Sequence, residues 1–148
     1  MKTRRAVFLD KDGTVIENVP YNVDPTRIRL CQGAGEGLRR LAEAGYLLVV
    51  VSNQSGVARG YFAESAIGPV EEHLRALLAE EEVTLEDFRY CPHHPEGEVP
   101  AYAILCDCRK PAPGMLLEAA RELGIDAGGS WMIGDRLDDV EAGRRAGC

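Results

Sequence analysis

Two carboxylates, Asp10 and Asp12, stand two residues apart directly after the short apolar run Ala6-Val7-Phe8-Leu9. Gly13 and Thr14 follow, so the chain is set to turn there. At the carboxyl end of a buried strand, both side chains can look into one cleft, which is where ligands bind in open α/β sheets. Two close carboxylates repel unless a cation or a shared proton compensates them. The pair therefore offers a metal site, a nucleophile with a general acid, or both. The ordinary alternative is a solvated Asp-Gly turn.

Three more polar clusters follow β-prone runs or lead into helices. Ser52-Asn53 ends the run Tyr46–Val51, Arg109-Lys110-Pro111 precedes a helical stretch, and Gly134-Asp135 follows Trp131-Met132-Ile133. In a parallel sheet the first, second and fourth clusters emerge on one edge. Two acidic clusters, a hydroxyl and a lysine then converge, and that set suits phosphoryl transfer. One carboxylate attacks phosphorus, another protonates the leaving oxygen, and a divalent cation bridges carboxylates and phosphate. Ser52 and Lys110 can bind the phosphoryl oxygens as charge develops. Singly, each residue has a plain alternative: a turn or N-cap for Ser52, a surface amine for Lys110, a helix cap for Asp135.

A second metal is written into the loop before Lys110. Cys91-Pro92-His93 and Cys106-Asp107-Cys108 are two short ligand pairs separated by residues 94–105. Three sulfurs and an imidazole make the closed tetrahedral set of structural zinc, and thiolates exclude Mg²⁺. His94 is adjacent and is the alternative imidazole, though Cys-x-His is the better bite. The competing reading is a set of buried free cysteines.

The elements that must position these groups alternate. Strands are expected at Val7–Leu9, Tyr46–Val51, Phe88–Tyr90 and Trp131–Ile133. Helices are expected at Gly33–Gly45, Ser65–Glu82, Gly114–Leu123 and Leu137–Ala146, with loops over 14–32 and 91–113. That order predicts an α/β fold, a parallel sheet with helices on both faces, in one domain over residues 1–148. The 39 residues between the first two clusters (13–51), and the interval 53–109, leave no room for a separate cap domain. The net charge of −7 argues against nucleic acid as a partner, so a phosphate substrate must be held by local cations. No apolar run approaches a membrane span, and the basic start lacks a signal-peptide core. A cytoplasmic monomer with a small-molecule substrate is the expectation.

Four motifs in order carry a resemblance: Asp10-Lys-Asp12-Gly-Thr14, Val51-Ser52-Asn53, Lys110-Pro111 and Gly134-Asp135-Arg-Leu-Asp138-Asp139. The chain resembles the haloacid dehalogenase-like phosphohydrolase superfamily from Val7 to about Ala146. The resemblance implies that Asp10 is the nucleophile, forming an aspartyl-phosphate, and that Asp12 is general acid and then base. It implies Mg²⁺ held by Asp10, Asp12 (through its carbonyl) and Asp135, with Ser52 and Lys110 on the phosphoryl group. A further acid, Asp138 or Asp139, orients the metal or Lys110, with Asp139 favoured.

The zinc loop narrows the resemblance to the branch of heptose-bisphosphate and histidinol-phosphate phosphatases, and agrees with Cys91, His93, Cys106 and Cys108 as ligands. Asn53-Gln54-Ser55-Gly56-Val57-Ala58-Arg59-Gly60 looks more like the heptose enzymes. In them, resemblance implies sugar-bisphosphate contacts from Asn18, Tyr21, Asn53, Gln54, Ser55, Arg109 and Arg136. The resemblance also implies another strand and helix after Ala146, which this sequence lacks. A zinc-stabilised binding domain without catalysis is the alternative from another class.

Overall fold

The computed structural model describes residues 3–148. Four strands form one fully parallel sheet: β1 (Ala6–Leu9), β2 (Leu47–Asn53), β3 (Asp87–Cys91) and β4 (Trp131–Ile133), in the order β3-β2-β1-β4. The chain steps outward from β1 to β3, then returns to place β4 on the other side of β1. The order reverses there, so the cleft between the carboxyl ends of β1 and β4 is the expected ligand crevice.

Strand alternation splits the core in two. Val7 and Leu9 of β1, with Leu48 and Val50 of β2, pack on one face against α1 (Ala34–Glu43) and α2 (Ile67–Glu80), through Leu38, Val70, Leu74 and Leu78. Ala6, Phe8, Val49 and Val51 pack on the other face against Met115, Leu116 and Ala119 of α3 (Gly114–Leu123). Ala142 and Ala146 of α4 (Leu137–Ala146) close that side. The period of two along the strands thus feeds helices on both faces, as expected.

The differences from expectation are local. A short 3₁₀ turn, Glu64–Ala66, precedes α2, and the helix ends at Glu80 because Glu82 takes a positive φ of 60°. Phe88–Tyr90 extends to a full strand over Asp87–Cys91. β4 is an edge strand, and Trp131 is 62% exposed. The loop over 14–32 holds Val15, Ile16 and Ile28 in the core and a 3₁₀ turn at Pro25–Arg27 capped by Asp24. Among the described residues neither interval beside β2 holds a second folded unit. No described helix is long and apolar enough to cross a membrane.

Candidate active site and metal centre

Asp10 leaves β1 with its backbone N–H bonded to the Ile133 carbonyl at 3.0 Å, which fixes it against the end of β4. Asp135 follows that strand. Gly13 has φ +85°, and a Cβ there would stand 2.3 Å from Asp135 Oδ2. Only glycine both turns the chain this way and lets the Asp135 carboxylate come so close. The switch point of the sheet therefore carries two facing carboxylates.

Lys110 is the bracket beneath them. Its ammonium is 2% exposed and donates to Asp10 Oδ1 at 2.9 Å, Asp139 Oδ1 at 2.6 Å and the Val51 carbonyl at 2.8 Å. All three N–H bonds are thus used. Asn53 pins the Lys110 backbone in both directions, donating to its carbonyl at 3.1 Å and accepting from its N–H at 3.0 Å. Asp139 is buried and also accepts from the Arg136 N–H at 3.1 Å, as the third residue of a capping box that starts α4. Asp138 is exposed, so the acid that meets the lysine is Asp139. A Cβ at Gly134 would lie 2.2 Å from Asp139 Oδ2, so this seating also needs a glycine.

Burial pushes the Asp10 carboxyl up to about 6; Lys110 pulls against that rise, while Asp139 and Asp135 add to it. Asp10, Asp135 and Asp139 offer oxygens within 4.8 Å of one another. An oxygen-only cluster of like charges fits a hard divalent cation such as Mg²⁺.

Asp12 lines the same cavity, held by Lys11 Nζ on Oδ1 at 3.2 Å and by Gln54 Nε2 on Oδ2 at 3.4 Å. Gln54 also donates to Ser52 Oγ at 2.7 Å. Ser52 itself is 1% exposed and is absent from the cavity wall; it meets the cavity only through Gln54. The other expected residues, Asn18, Tyr21, Asn53, Gln54, Ser55, Arg109, Lys110 and Arg136, all line the cavity, which holds about 300 Å³. Tyr21 takes a left-handed φ of 54° and meets Tyr61 edge-on at 4.7 Å. Arg59, in the Asn53–Gly60 stretch that resembles the heptose enzymes, also lines the cavity as a further cation.

Behind Lys110, Cys91, His93, Cys106 and Cys108 gather with ligand atoms within 4.8 Å. A tetrahedral zinc with Zn–S of about 2.3 Å sets sulfur–sulfur edges near about 3.8 Å. The Cys91–Cys106 and Cys106–Cys108 edges are 3.6 and 3.5 Å, and His93 Nδ1 stands 3.5 and 3.3 Å from Cys91 and Cys108. The Cys91–Cys108 edge is shorter, at 2.7 Å. The donor set fits zinc. His93 joins the sulfurs, whereas His94 turns toward Arg59, with Nε2 3.3 Å from the guanidinium. Burial and the charges of Arg109 and Arg59 hold the His94 pKa below its ordinary value.

The HAD-hydrolase-like family model matches residues 107–148. Across 143 residues the chain is 46% identical to the D-glycero-β-D-manno-heptose-1,7-bisphosphate 7-phosphatase of Pasteurella multocida, covering 97% of this chain and 77% of that one. A crystal structure of a HAD-like protein from Mesorhizobium loti superposes with a TM-score of 0.93 at 42% identity, covering 98% of this chain and 69% of that one. The D,D-heptose 1,7-bisphosphate phosphatase of B. bronchiseptica, solved with magnesium and phosphate, gives 0.85 at 32% identity, covering 97% and 77%. The chain belongs to the haloacid dehalogenase-like hydrolases. Within them it belongs with the heptose-bisphosphate phosphatases.

Proposed function

We propose that this chain is a Mg²⁺-dependent phosphatase that removes the 7-phosphate of D-glycero-D-manno-heptose 1,7-bisphosphate through an aspartyl-phosphate on Asp10. The observation that carries the reading is the seat of Asp10: a strand-end carboxylate bonded to Lys110 and facing Asp135 at the switch point of the sheet. The names of the Pasteurella and B. bronchiseptica relatives support the substrate, and the magnesium and phosphate in the latter support the metal and the chemistry.

Asp10, Asp135 and the Asp12 carbonyl would hold Mg²⁺, whose charge would neutralise the phosphoryl oxygens. An Asp10 oxygen attacks phosphorus as the bond from phosphorus to the sugar oxygen breaks. Asp12 gives its proton to that departing oxygen. Asp12 then takes a proton from the water that attacks phosphorus, and the bond to Asp10 breaks to release phosphate and restore the carboxylate. Lys11 and Gln54 keep Asp12 in place through both proton transfers. Lys110, buried against Asp10, offsets the charge that builds on the reacting group, where a low-dielectric setting strengthens it. Ser52 acts through Gln54. Asn18, Tyr21, Ser55, Arg109 and Arg136 hold the sugar and its second phosphate. Cys91, His93, Cys106 and Cys108 would hold zinc, which fixes the loop that ends at Arg109 and Lys110.

Asp10→Asn keeps size and removes the nucleophile's charge. Turnover of the bisphosphate should fall to background, with the circular-dichroism spectrum unchanged. Near-full Mg²⁺-dependent turnover by this variant would refute the aspartyl-phosphate mechanism. Comparing kcat/KM for both anomers of the heptose bisphosphate and for histidinol phosphate tests the substrate, and a preference for histidinol phosphate overturns that part alone.

A further inference from the structure

Only two buried side-chain polar atoms among the described residues lack a hydrogen-bond partner: Arg59 Nε and Arg109 Nη1. Both arginines line the catalytic cavity. Neither guanidinium has a carboxylate within ion-pair range, although the chain carries 24 acidic residues against 17 Lys and Arg. Other arginines also lack a carboxylate partner, but among the described residues only Arg59 and Arg109 leave a buried guanidinium nitrogen unsatisfied. Buried donors in native proteins are nearly always satisfied, so two unsatisfied ones in a single cavity call for an acceptor that the protein does not supply.

His94 adds a third donor. Its Nδ1 accepts from the Glu96 N–H at 3.0 Å, so the ring proton sits on Nε2. That nitrogen faces Arg59 Nη2, also a donor, at 3.3 Å. Two N–H groups cannot satisfy each other, whereas an oxygen acceptor beside both satisfies the pair. The encounter is built in by the fold. The Glu98 and Val99 N–H groups both donate to the Ala58 carbonyl, at 2.8 and 2.9 Å, tying the metal-binding loop to the residue before Arg59.

We propose that Arg59 and His94 join Arg109 on the phosphate that is not transferred, and that Arg59 is a specificity-determining residue which grips it. The occupant rests on the bisphosphate reading above; the subsite itself rests on the unpaired donors. A phosphate monoester brings three acceptor oxygens and close to two negative charges, enough for a bidentate guanidinium, a second arginine and one imidazole N–H. A neutral hydroxyl would leave both charges unanswered.

The test is a ratio. kcat/KM is measured for the heptose 1,7-bisphosphate and for p-nitrophenyl phosphate, which has no second phosphate, in the wild type, Arg59→Met and Arg59→Lys. The ratio should fall at least thirtyfold in Arg59→Met and by an intermediate factor in Arg59→Lys, which keeps the charge but loses the fork. A merely structural role lowers both substrates together, and an unmoved ratio in both variants overturns the subsite. Mannose 1-phosphate is then used as an inhibitor of p-nitrophenyl phosphate turnover, and its inhibition constant should rise at least tenfold in either variant. If the wild type shows no bisphosphate preference yet this inhibition depends on Arg59, the subsite stands and the substrate reading fails. If preference is strong and neither quantity moves, the subsite fails and the substrate reading stands.

Discussion

Replacing Asp139 by Asn should cost about 3 kcal/mol of folding stability and most of the activity. Lys110 Nζ lies 2.6 Å from Asp139 Oδ1, and the two side chains are 2% and 3% exposed. Removing one partner of a buried ion pair costs about 3–5 kcal/mol, because the remaining charge stays desolvated. Asn keeps the shape and one acceptor, and Lys110 keeps Asp10 and the Val51 carbonyl, so the low end applies. At about 2–4 °C per kcal/mol for a chain of this size, the melting temperature falls by about 6–12 °C. Activity falls for a separate reason. An ammonium shared between two carboxylates becomes the partner of Asp10 alone, which holds the nucleophile's charge more tightly; a loss of about 10²-fold in kcat is the scale for one misplaced charged group. The assay is thermal melting in Mg²⁺-free buffer together with steady-state turnover. Lys110→Met combined with Asp139→Leu should be inactive but less destabilised than its two singles added together, since it leaves no buried ammonium unpaired even though Asp10 loses its partner and the Arg136 N–H its cap. A single variant that melts within about 2 °C of wild type, or a double variant as destabilised as the sum of its singles, would refute the reasoning.

Three further outcomes follow from the same geometry. Gly13→Ala places a Cβ 2.3 Å from Asp135 Oδ2 at a φ of +85°, so it should cost about 1–2 kcal/mol and raise the Mg²⁺ concentration needed for half-maximal turnover. Cys106→Ser should lower zinc content by elemental analysis, and its melting temperature should fall by more than the loss of one hydrogen bond, about 1 kcal/mol, would give. For Asp10 the folded pKa is raised from 3.8 to about 6, so its ionised form opposes folding. That penalty is full above pH 6 and is relieved as the folded carboxyl takes up a proton between pH 6 and 4. In Mg²⁺-free buffer Asp10→Asn should therefore out-melt the wild type at pH 7.5, with the gap closing by about pH 4; a gap that widens toward acid contradicts the sign.

The residues that could be read from the sequence are those whose role is local. Val7–Leu9 followed by Asp10-x-Asp12-Gly13 announces a strand end with charged cargo, because apolar runs and turn residues act on their own neighbours. The Cys91/His93 and Cys106/Cys108 pairs are legible for the same reason: short bites set the chelate whatever the fold. What was not legible depends on topology. The exposure of Trp131 follows from β4 lying at the sheet edge, which no window around Trp131 records. Ser52 looks available in the sequence, but its place beneath Gln54 depends on how the chain turns after β2. The choice of Asp139 over Asp138 had a signal that helix periodicity alone misses: a capping acid three residues into α4 turns back toward the helix start, where Lys110 lies. Arg59 and His94 are 35 residues apart, and only the docking of the loop on Ala58 brings them together.

The segment Cys108-Arg109-Lys110 joins the sulfur cluster directly to the lysine beneath Asp10. Cys108 belongs to the sulfur cluster, Arg109 lines the cavity, and Lys110 lies under Asp10. Three successive residues thus serve three environments that differ in polarity: soft thiolates, an open anion site and a buried ion pair. Such a stretch has no regular secondary structure to fix it. The restraints come from outside. Asn53 holds the Lys110 backbone from β2, and the Gly114 N–H at the start of α3 bonds the Asp107 carbonyl at 2.8 Å. A tetrahedral metal would add the remaining anchor at Cys108. Electrostatic stabilisation of a transferring phosphoryl group depends on charges that need not move during reaction. On the proposed mechanism, rigidity in this loop is therefore part of the chemistry at Asp10.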